Sequence, residues 1–333
     1  MAGTDPTTDS GSKRTTMREA IREGIREEMR ADETILLYGQ DERDGESFDV
    51  TAGLYEEFGG RRVRNTPISE AAQVGSAVGA AATGLRPVVE LSFANFIGVC
   101  FDQIMNQVGN TRYMFGGASE VPLVLRATEG GGIGAAAQHS STPHTLIAHL
   151  PGIKTVAPAT PAGAKGLIKT SIRSDDPVMF FENKTTYDER GEVPATDSHT
   201  VPFGEANVER TGDDVTVVAT QRLFGEAIRV ADGLANEVEL EVIDPQSLYP
   251  LDTETILDSV AKTGRLIVAD ESPMSYGFHA EVFARVVEEG FSRLNAPPQR
   301  VGVPDTPIPF APGLEEEVLP DGTDIERAVR RVV

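Results

Sequence analysis

From Pro67 to Leu91 the chain reads Pro-Ile-Ser-Glu-Ala-Ala-Gln-Val-Gly-Ser-Ala-Val-Gly-Ala-Ala-Ala-Thr-Gly-Leu-Arg-Pro-Val-Val-Glu-Leu. Pro67 suits an early helical position and Thr66 or Ser69 a cap, so a helix is predicted whose first turn holds Glu70. The small residues behind Glu70 then give way to the apolar run Val88–Leu91, which reads as a strand. The same alternation continues outward, with apolar runs at Ile35–Tyr38, Leu123–Leu125, around Val156 and at Val178–Phe181, each separated by a helix-like segment. Short strands alternating with helices predict an α/β fold with a mainly parallel sheet covered on both faces.

Further from the centre, Met17 to Met29 repeats apolar residues at 17, 21, 25 and 29, the pattern of an amphipathic helix. Residues 1–16 are Thr-, Ser- and Gly-rich and are expected to be a disordered lead. From about Tyr187 to Glu205 the pattern lapses into Gly, Pro, Asp and Thr, which predicts a linker. The alternation then resumes: Val215–Val218, a helix from about Leu223, Leu240–Ile243, a helix from about Thr253, Arg265–Ala269, a helix from about Phe278 and a strand near Val301. The expected organisation is a first domain over 17–190, a linker over 191–206 and a smaller α/β domain over 207–333. A length of 333 residues with 39% hydrophobic content is sufficient for two cores.

Formal charge is −22, which argues against nucleic acid and anionic membrane surfaces as partners. Lys occurs only at 13, 154, 165, 169, 184 and 262. An acidic, Lys-poor surface suits a halophilic setting, where screening shortens repulsion to about 3 Å at 1 M salt. The single Cys100 excludes an intrachain disulfide and, inside the apolar run Phe96–Phe101, reads as a buried inert thiol. With no apolar stretch of the roughly 18 residues a membrane span needs, and no secretory signal pattern, a soluble cytoplasmic protein is expected.

Three segments are candidates for chemistry. Glu70 reads in two ways. It is either an acid favoured at a helix N-terminus by about 0.3–1 kcal/mol, or a buried carboxyl whose desolvation favours keeping or sharing a proton. The helix behind it, with Gly75 and Gly79, is built for close backbone approach. Glu129-Gly-Gly-Gly-Ile-Gly-Ala-Ala-Ala-Gln-His-Ser140 superficially fits a dinucleotide fingerprint, but the following strand ends without the acid that would hold a ribose. Its glycines instead make a loop that presents His139, either for proton exchange or for a structural hydrogen bond. His139, His144 and His149 recur every five residues; on a helix that spacing diverges by about 140°, which argues against a shared metal.

Arg64-Asn-Thr-Pro-Ile-Ser-Glu-Ala71, Gly84-Leu-Arg-Pro-Val-Val-Glu90, Phe101-Asp-Gln-Ile104, Arg112-Tyr-Met-Phe-Gly-Gly117, Gln138-His-Ser140, Ala164-Lys-Gly-Leu167 and Lys262-Thr-Gly-Arg-Leu266 occur in this order. From about Met17 to the C-terminus the chain resembles the β subunit of the thiamine-diphosphate-dependent E1 component of 2-oxoacid dehydrogenase complexes. Glu241-Val-Ile-Asp-Pro245, Gly191-Glu-Val-Pro194 and Ile308-Pro-Phe310 most resemble the acetoin dehydrogenase branch, with the pyruvate and branched-chain branches close behind. The resemblance implies two transketolase-type domains, the first gripping the cofactor's aminopyrimidine and the second serving assembly. It implies that Glu70 hydrogen-bonds the pyrimidine N1′ and favours the tautomer that deprotonates the thiazolium C2. Phe96 would pack beside the pyrimidine, Gln40 would lie near the cofactor, and His139 would help pass the acyl group to lipoamide. Leu123, Ser171, Ile172, Ser174 and Asp176 align with a monovalent-cation (K⁺) site held mostly by carbonyl oxygens.

In that family a Gly-Asp-Gly segment followed by Asn holds the diphosphate and its Mg²⁺, and no Gly-Asp-Gly occurs in this sequence. The resemblance therefore implies an α subunit that supplies that half of the site, in an α2β2 assembly, with a lipoyl acyltransferase (E2) as acceptor. The small-residue helix after Glu70 would pack at that interface or within the β pair. Departures fall near the reacting centre. Gly39-Gln-Asp41 stands where relatives usually have Gly-Glu-Asp, Ser141-Thr-Pro-His-Thr-Leu146 follows Gln138-His-Ser140 in place of the usual Gln-Ser and aromatics, and Gln246 replaces a common arginine. The expected activity is carbon–carbon cleavage of a 2-oxoacid or acetoin with acyl transfer to lipoyl-E2. A split transketolase-like ligase and a non-catalytic subunit docked to E2 are the alternatives.

Overall fold

The opening stretch folds as read, into the helix Glu70–Ala82 and the strand Arg86–Phe93, in a computed structural model that describes residues 11–333. Around that pair a seven-stranded sheet runs in the spatial order Ser247–Tyr249, Lys154–Val156, Val178–Asn183, Val124–Glu129, Arg86–Phe93, Ile35–Gly39, Val63–Asn65. Every neighbouring pair is parallel except the edge strand Ser247–Tyr249, which is antiparallel to Lys154–Val156. Val178–Asn183 and Val124–Glu129 are buried along their whole length, as strands covered by helices on both faces must be. A second sheet of five strands has the order Gln299–Val303, Leu266–Pro273, Val215–Ala219, Leu240–Asp244, Asn207–Arg210, of which only the last pairs antiparallel. The fold is thus α/β with two mostly parallel sheets.

One face of the first sheet is covered by the helices Met17–Ala31 and Pro161–Arg173. Ile21, Ile25 and Met29 from the predicted apolar stripe are fully buried there beside Leu167 and Ile168. Gly24 allows the two helices to touch, because a Cβ on it would lie 2.5 Å from Ile168 Cγ2. On the opposite face, Val74, Ala77 and Ala81 of the Glu70 helix join an apolar cluster that does not stop at the domain boundary. It runs from Tyr38, Leu91 and Phe181 through Leu248 to Val218, Ile243 and Ile256 of the second half. The two cores expected from composition are therefore partly one, and the second half lends its strand Ser247–Tyr249 to the first sheet.

The expected disordered lead and the expected linker over 191–206 are each corrected in part. Part of the lead over 1–16 is not disordered: Ser12–Thr16 is a strand pairing antiparallel with Arg190–Pro194, at the front of the expected linker. Both segments are polar and their partners are distant in sequence, so neither shows a periodic signal of its own. Thr15 and Thr16 are buried, and Thr16 caps the helix Met17–Ala31 in a capping box with Glu19. Residues 1–10 of the lead lie outside the described residues. No helix among the described residues is long and apolar enough to cross a membrane.

Candidate active site

Gln40 follows the strand Ile35–Gly39, Glu70 follows Val63–Asn65, Phe96 follows Arg86–Phe93, and His139 lies in the loop after Val124–Glu129. These four strands are consecutive parallel neighbours in the sheet, so the segments leaving their carboxyl ends share one edge. That edge is where open α/β sheets take ligands.

Glu70 is the first residue of its helix and only 6% exposed. Ser69 precedes it without making a side-chain cap, and Thr66 donates its hydroxyl to the Gly39 carbonyl while accepting from Gln73 Nε2 at 2.6 Å. Gln40 Nε2 donates to Glu70 Oε1 at 3.5 Å, so the two departure-and-match residues of the sequence meet. Cys100 lies behind them; burial first and the Glu70 charge second push its thiol up to about 12, and it donates weakly to the Phe96 carbonyl at 3.6 Å. A thiol that stays protonated is not a nucleophile.

Phe96 sits in the short 3₁₀ segment Ala94–Val99, and its ring meets His139 edge-on at 5.6 Å. His139 packs more closely on Phe93, at 4.4 Å and again edge-on. Asn95 ties the same segment to the histidine loop by donating to the Ala137 carbonyl at 3.2 Å. Left-handed backbone at three non-glycine residues flanks the candidates: Asp41 at φ 57° beside Gln40, Ser92 at φ 60° before Phe93, and Ala136 at φ 59° in the loop. Such conformations persist where surrounding structure enforces them, and they cluster at functional sites.

Two residues that sequence reading passed over complete this edge. Lys184, at the end of the neighbouring strand Val178–Asn183, is buried, and that burial brings its amine down to about 8. It donates to the Gly130 carbonyl and its ammonium lies 5.8 Å from the Phe93 ring centroid. Glu315, from the helix Pro312–Val318 of the second half, accepts from the amides of Gly132 and Gly134. Neither has a local motif; only the rarity of lysine draws the eye to Lys184.

The three histidines occupy different surroundings. His144 is fully buried between Glu129 Oε1 at 2.8 Å and Asp270 Oδ2 at 3.3 Å, while His149 is exposed. Among the described residues no cluster of three or more His, Cys, Asp or Glu is arranged to hold a metal ion. The residues aligned with a cation site lie at the other end of the sheet, before the strands Val124–Glu129 and Val178–Asn183. Each of their carbonyls already accepts a hydrogen bond: Leu123 from Val178, Ser171 from Ser174, Ile172 and Ser174 from Arg86, and Asp176 from the Ser174 hydroxyl. A guanidinium thus already brings positive charge to two of the five.

At the Glu70 edge the donor set fits half of an aminopyrimidine-bearing cofactor. A buried carboxylate can hold a proton on a ring nitrogen, and Phe93 and Phe96 offer apolar ring surface. The edge is open and rimmed by apolar side chains, Ile68 being 81% exposed and Ile133 50%. Cavities of about 780 and 630 Å³ lie elsewhere, the first lined by His199 and Gln246, the second by Lys13 and Glu27.

The fold and this edge define a class: a two-sheet α/β chain presenting a carboxylate and aromatic half-site on parallel-strand ends. Residues 13–189 match the transketolase pyrimidine binding domain and residues 204–325 the transketolase C-terminal domain. The chain is 46% identical over 306 residues to the acetoin:2,6-dichlorophenolindophenol oxidoreductase subunit beta of Bacillus subtilis, covering 88% of this chain and 89% of that protein. It is 40% identical over 332 residues to the pyruvate dehydrogenase E1 component subunit beta of Rhizobium meliloti, covering 98% and 72%. Among solved structures, a split gene transketolase in an inactive β4 tetramer matches with TM-score 0.76 and 25% identity, covering 95% of this chain and 97% of that one. This chain belongs to the transketolase family, in the branch of dehydrogenase E1 β subunits.

Proposed function

We propose that the chain is the β half of an α2β2 E1 enzyme that cleaves the carbon–carbon bond of acetoin or a 2-oxoacid and passes the acyl group to lipoyl-E2. Thiamine diphosphate, when bound, supplies the carbon nucleophile and the electron sink for that cleavage. In this chain Glu70 holds the proton on the pyrimidine nitrogen, Phe96 packs beside that ring, Gln40 orients the Glu70 carboxylate, and His139 serves the acyl transfer. The unit 17–190 grips the pyrimidine, and 207–333 serves assembly. The diphosphate and Mg²⁺ fall to the α subunit, since no Gly-Asp-Gly segment to hold them occurs in this sequence. K⁺ at Leu123, Ser171, Ile172, Ser174 and Asp176 belongs to the same reading, as do a cytoplasmic setting and adaptation to salt.

The observation that carries the reading is the meeting of Gln40 with Glu70 and of Phe96 with His139 on the ends of four consecutive parallel strands. Acetoin is favoured as substrate by the higher identity to the acetoin-linked relative, 46% against 40%. The test is co-expression with an α subunit, then turnover of acetoin, pyruvate and branched 2-oxoacids with a dye and separately with a lipoyl domain. In Glu70→Gln, hydrogen exchange at C2 of bound cofactor is expected to fall by a factor on the order of 10² to 10⁴, the usual contribution of an acid–base group. Near wild-type exchange would remove Glu70 from the role.

A split transketolase-like ligase is the second reading, favoured by the match to the split gene transketolase. It predicts product formation with an aldehyde acceptor and no lipoyl acylation. Absence of turnover with every substrate would leave the structural-subunit reading.

A further inference from the structure

We infer that Glu315, carried by the C-terminal half, is the positioning residue for the loop that presents His139. The inference rests on the role proposed for His139 but is read out separately from it.

The loop begins Gly130-Gly-Gly-Ile-Gly134, and Gly130, Gly132 and Gly134 take φ values of 87°, 100° and 68°. Such a segment has little intrinsic stiffness, and its one side chain, Ile133, is half exposed and does little to fix it. It must be held from outside, and three groups hold it. At its start Lys184 donates to the Gly130 carbonyl, and at its end Asn95 donates to the Ala137 carbonyl. Between them, Glu315 Oε1 accepts from the Gly132 amide and Oε2 from the Gly134 amide, each at 2.9 Å. Glu315 is 4% exposed, so the carboxylate end of this two-point, charge-assisted pairing is buried while the loop amides lie nearer the surface.

Lys184 and Asn95 belong to the same half as the loop; Glu315 lies 181 residues from Gly134. Its helix is itself fixed. Leu319 packs under the loop so closely that a Cβ on Gly131 would come within 2.7 Å of Leu319 Cδ1. Arg222 donates to the Pro320 carbonyl at 2.7 Å and pairs with Glu271, which accepts from Asn183 at 3.0 Å. The C-terminal half is therefore a strap whose carboxylate sets the height of the loop. His139, five residues beyond Gly134, takes its place on the Phe93 ring accordingly.

The test uses the assembled α2β2 enzyme with Glu315→Ala, Glu315→Gln and His139→Ala. Amide hydrogen exchange across 130–139 is expected to accelerate at least tenfold in Glu315→Ala and by less in Glu315→Gln, which keeps the shape and one acceptor. Acyl transfer to the lipoyl domain is expected to fall by up to about 10²-fold, the usual consequence of misplacing a reacting group by about 1 Å. Dye-linked turnover should fall much less, and Glu315→Ala should add little to His139→Ala. Unchanged exchange at Gly132 and Gly134, or faster exchange with wild-type lipoyl transfer, overturns the inference. If His139→Ala alone leaves lipoyl transfer intact, the role of His139 fails instead, and exchange still decides whether Glu315 holds the loop.

Discussion

At position 40 a carboxamide faces Glu70, its nitrogen donating to Glu70 Oε1 at 3.5 Å. A glutamate in its place would differ chemically rather than sterically, since Gln and Glu have the same shape. An amide beside Glu70 supplies a proton donor without a charge, so Glu70 is the acid of the pair. A second carboxylate at that distance could not ionise freely beside the first, and the two would share a proton. Gln40→Glu is therefore expected to shift the acidic limb of the pH–rate profile to higher pH while leaving fold and thermal midpoint nearly unchanged. An acidic limb superposable on that of the wild type would show that Gln40 does not tune the Glu70 carboxyl.

Among the elements, the helix Met17–Ala31 shows how a polar segment acquires structure from distant neighbours. Thr16 ends the strand paired with Arg190–Pro194 and caps the helix, its hydroxyl accepting from the Glu19 amide at 3.3 Å while Glu19 Oε2 accepts from the Thr16 amide at 3.1 Å. The Thr16 amide, followed by the Thr15 and Thr16 hydroxyls, lowers the Glu19 carboxyl from 4.5 to about 2. A carboxyl depressed by folding stabilises the native state above its unfolded pKa and loses that contribution as pH falls through its folded value. The cap should therefore weaken between pH about 4.5 and 2. Thr16→Ala is expected to cost about 1 kcal/mol in urea unfolding at neutral pH. A variant as stable as wild type would show that pairing with Arg190–Pro194, not the cap, starts the helix. The helix itself was legible from Met17, Ile21, Ile25 and Met29, as were the strands around Leu37, Val89, Phe180, Val217 and Val268, because each carries its own apolar pattern. Val63–Asn65, Ser12–Thr16 and Ser247–Tyr249 were not, since short edge strands draw their hydrogen bonds from remote partners. At the candidate site, Glu70 and His139 stand out by local context and family resemblance, whereas Lys184 and Glu315 reach the same sheet edge by tertiary placement alone, which no spacing records.

The whole molecule carries a formal charge of −22, and its two halves are joined through a buried charge cluster. Screening acts on the first of these features. The thermal midpoint is expected to rise with choline chloride concentration as the Debye length shortens from about 10 Å at 0.1 M to about 3 Å at 1 M. An additional rise specific to KCl would support cation binding near Ser171 and Ser174; a midpoint indifferent to both salts would sink salt adaptation and cation site together.

The second feature is insulated from salt by burial and answers to pH instead. Glu129 ends a strand of the first sheet, Asp270 lies in a strand of the second, and His144 sits between them, its Nδ1 hydrogen-bonded to Glu129 and its Nε2 within ion-pair range of Asp270 at 3.3 Å. Burial opposes the imidazolium, yet the two flanking carboxylates, Glu129 and Asp270, hold His144 well above its ordinary range. Asp270, also accepting from Thr220 and Ser272, is held low despite its burial. A histidine whose folded pKa is raised contributes stability that is fully present below its unfolded value near 6.5 and is lost as pH rises through the folded one. Removing one member of a buried charge group leaves the others uncompensated, at a cost of about 3–5 kcal/mol. His144→Gln is thus expected to be destabilised by that amount near neutral pH, and its deficit relative to wild type should shrink as pH rises and the wild-type imidazolium is lost. Glu42 and Asp244, each raised to about 7 by burial, also lose stabilising influence as pH climbs from their unfolded values to about 7. Both are present in wild type and variant, so they cancel in the difference between the two urea midpoints. A deficit that stays constant from pH 6.5 to strongly alkaline pH would mean that His144 joins the halves by packing against Phe181 and Phe278 rather than by its charge.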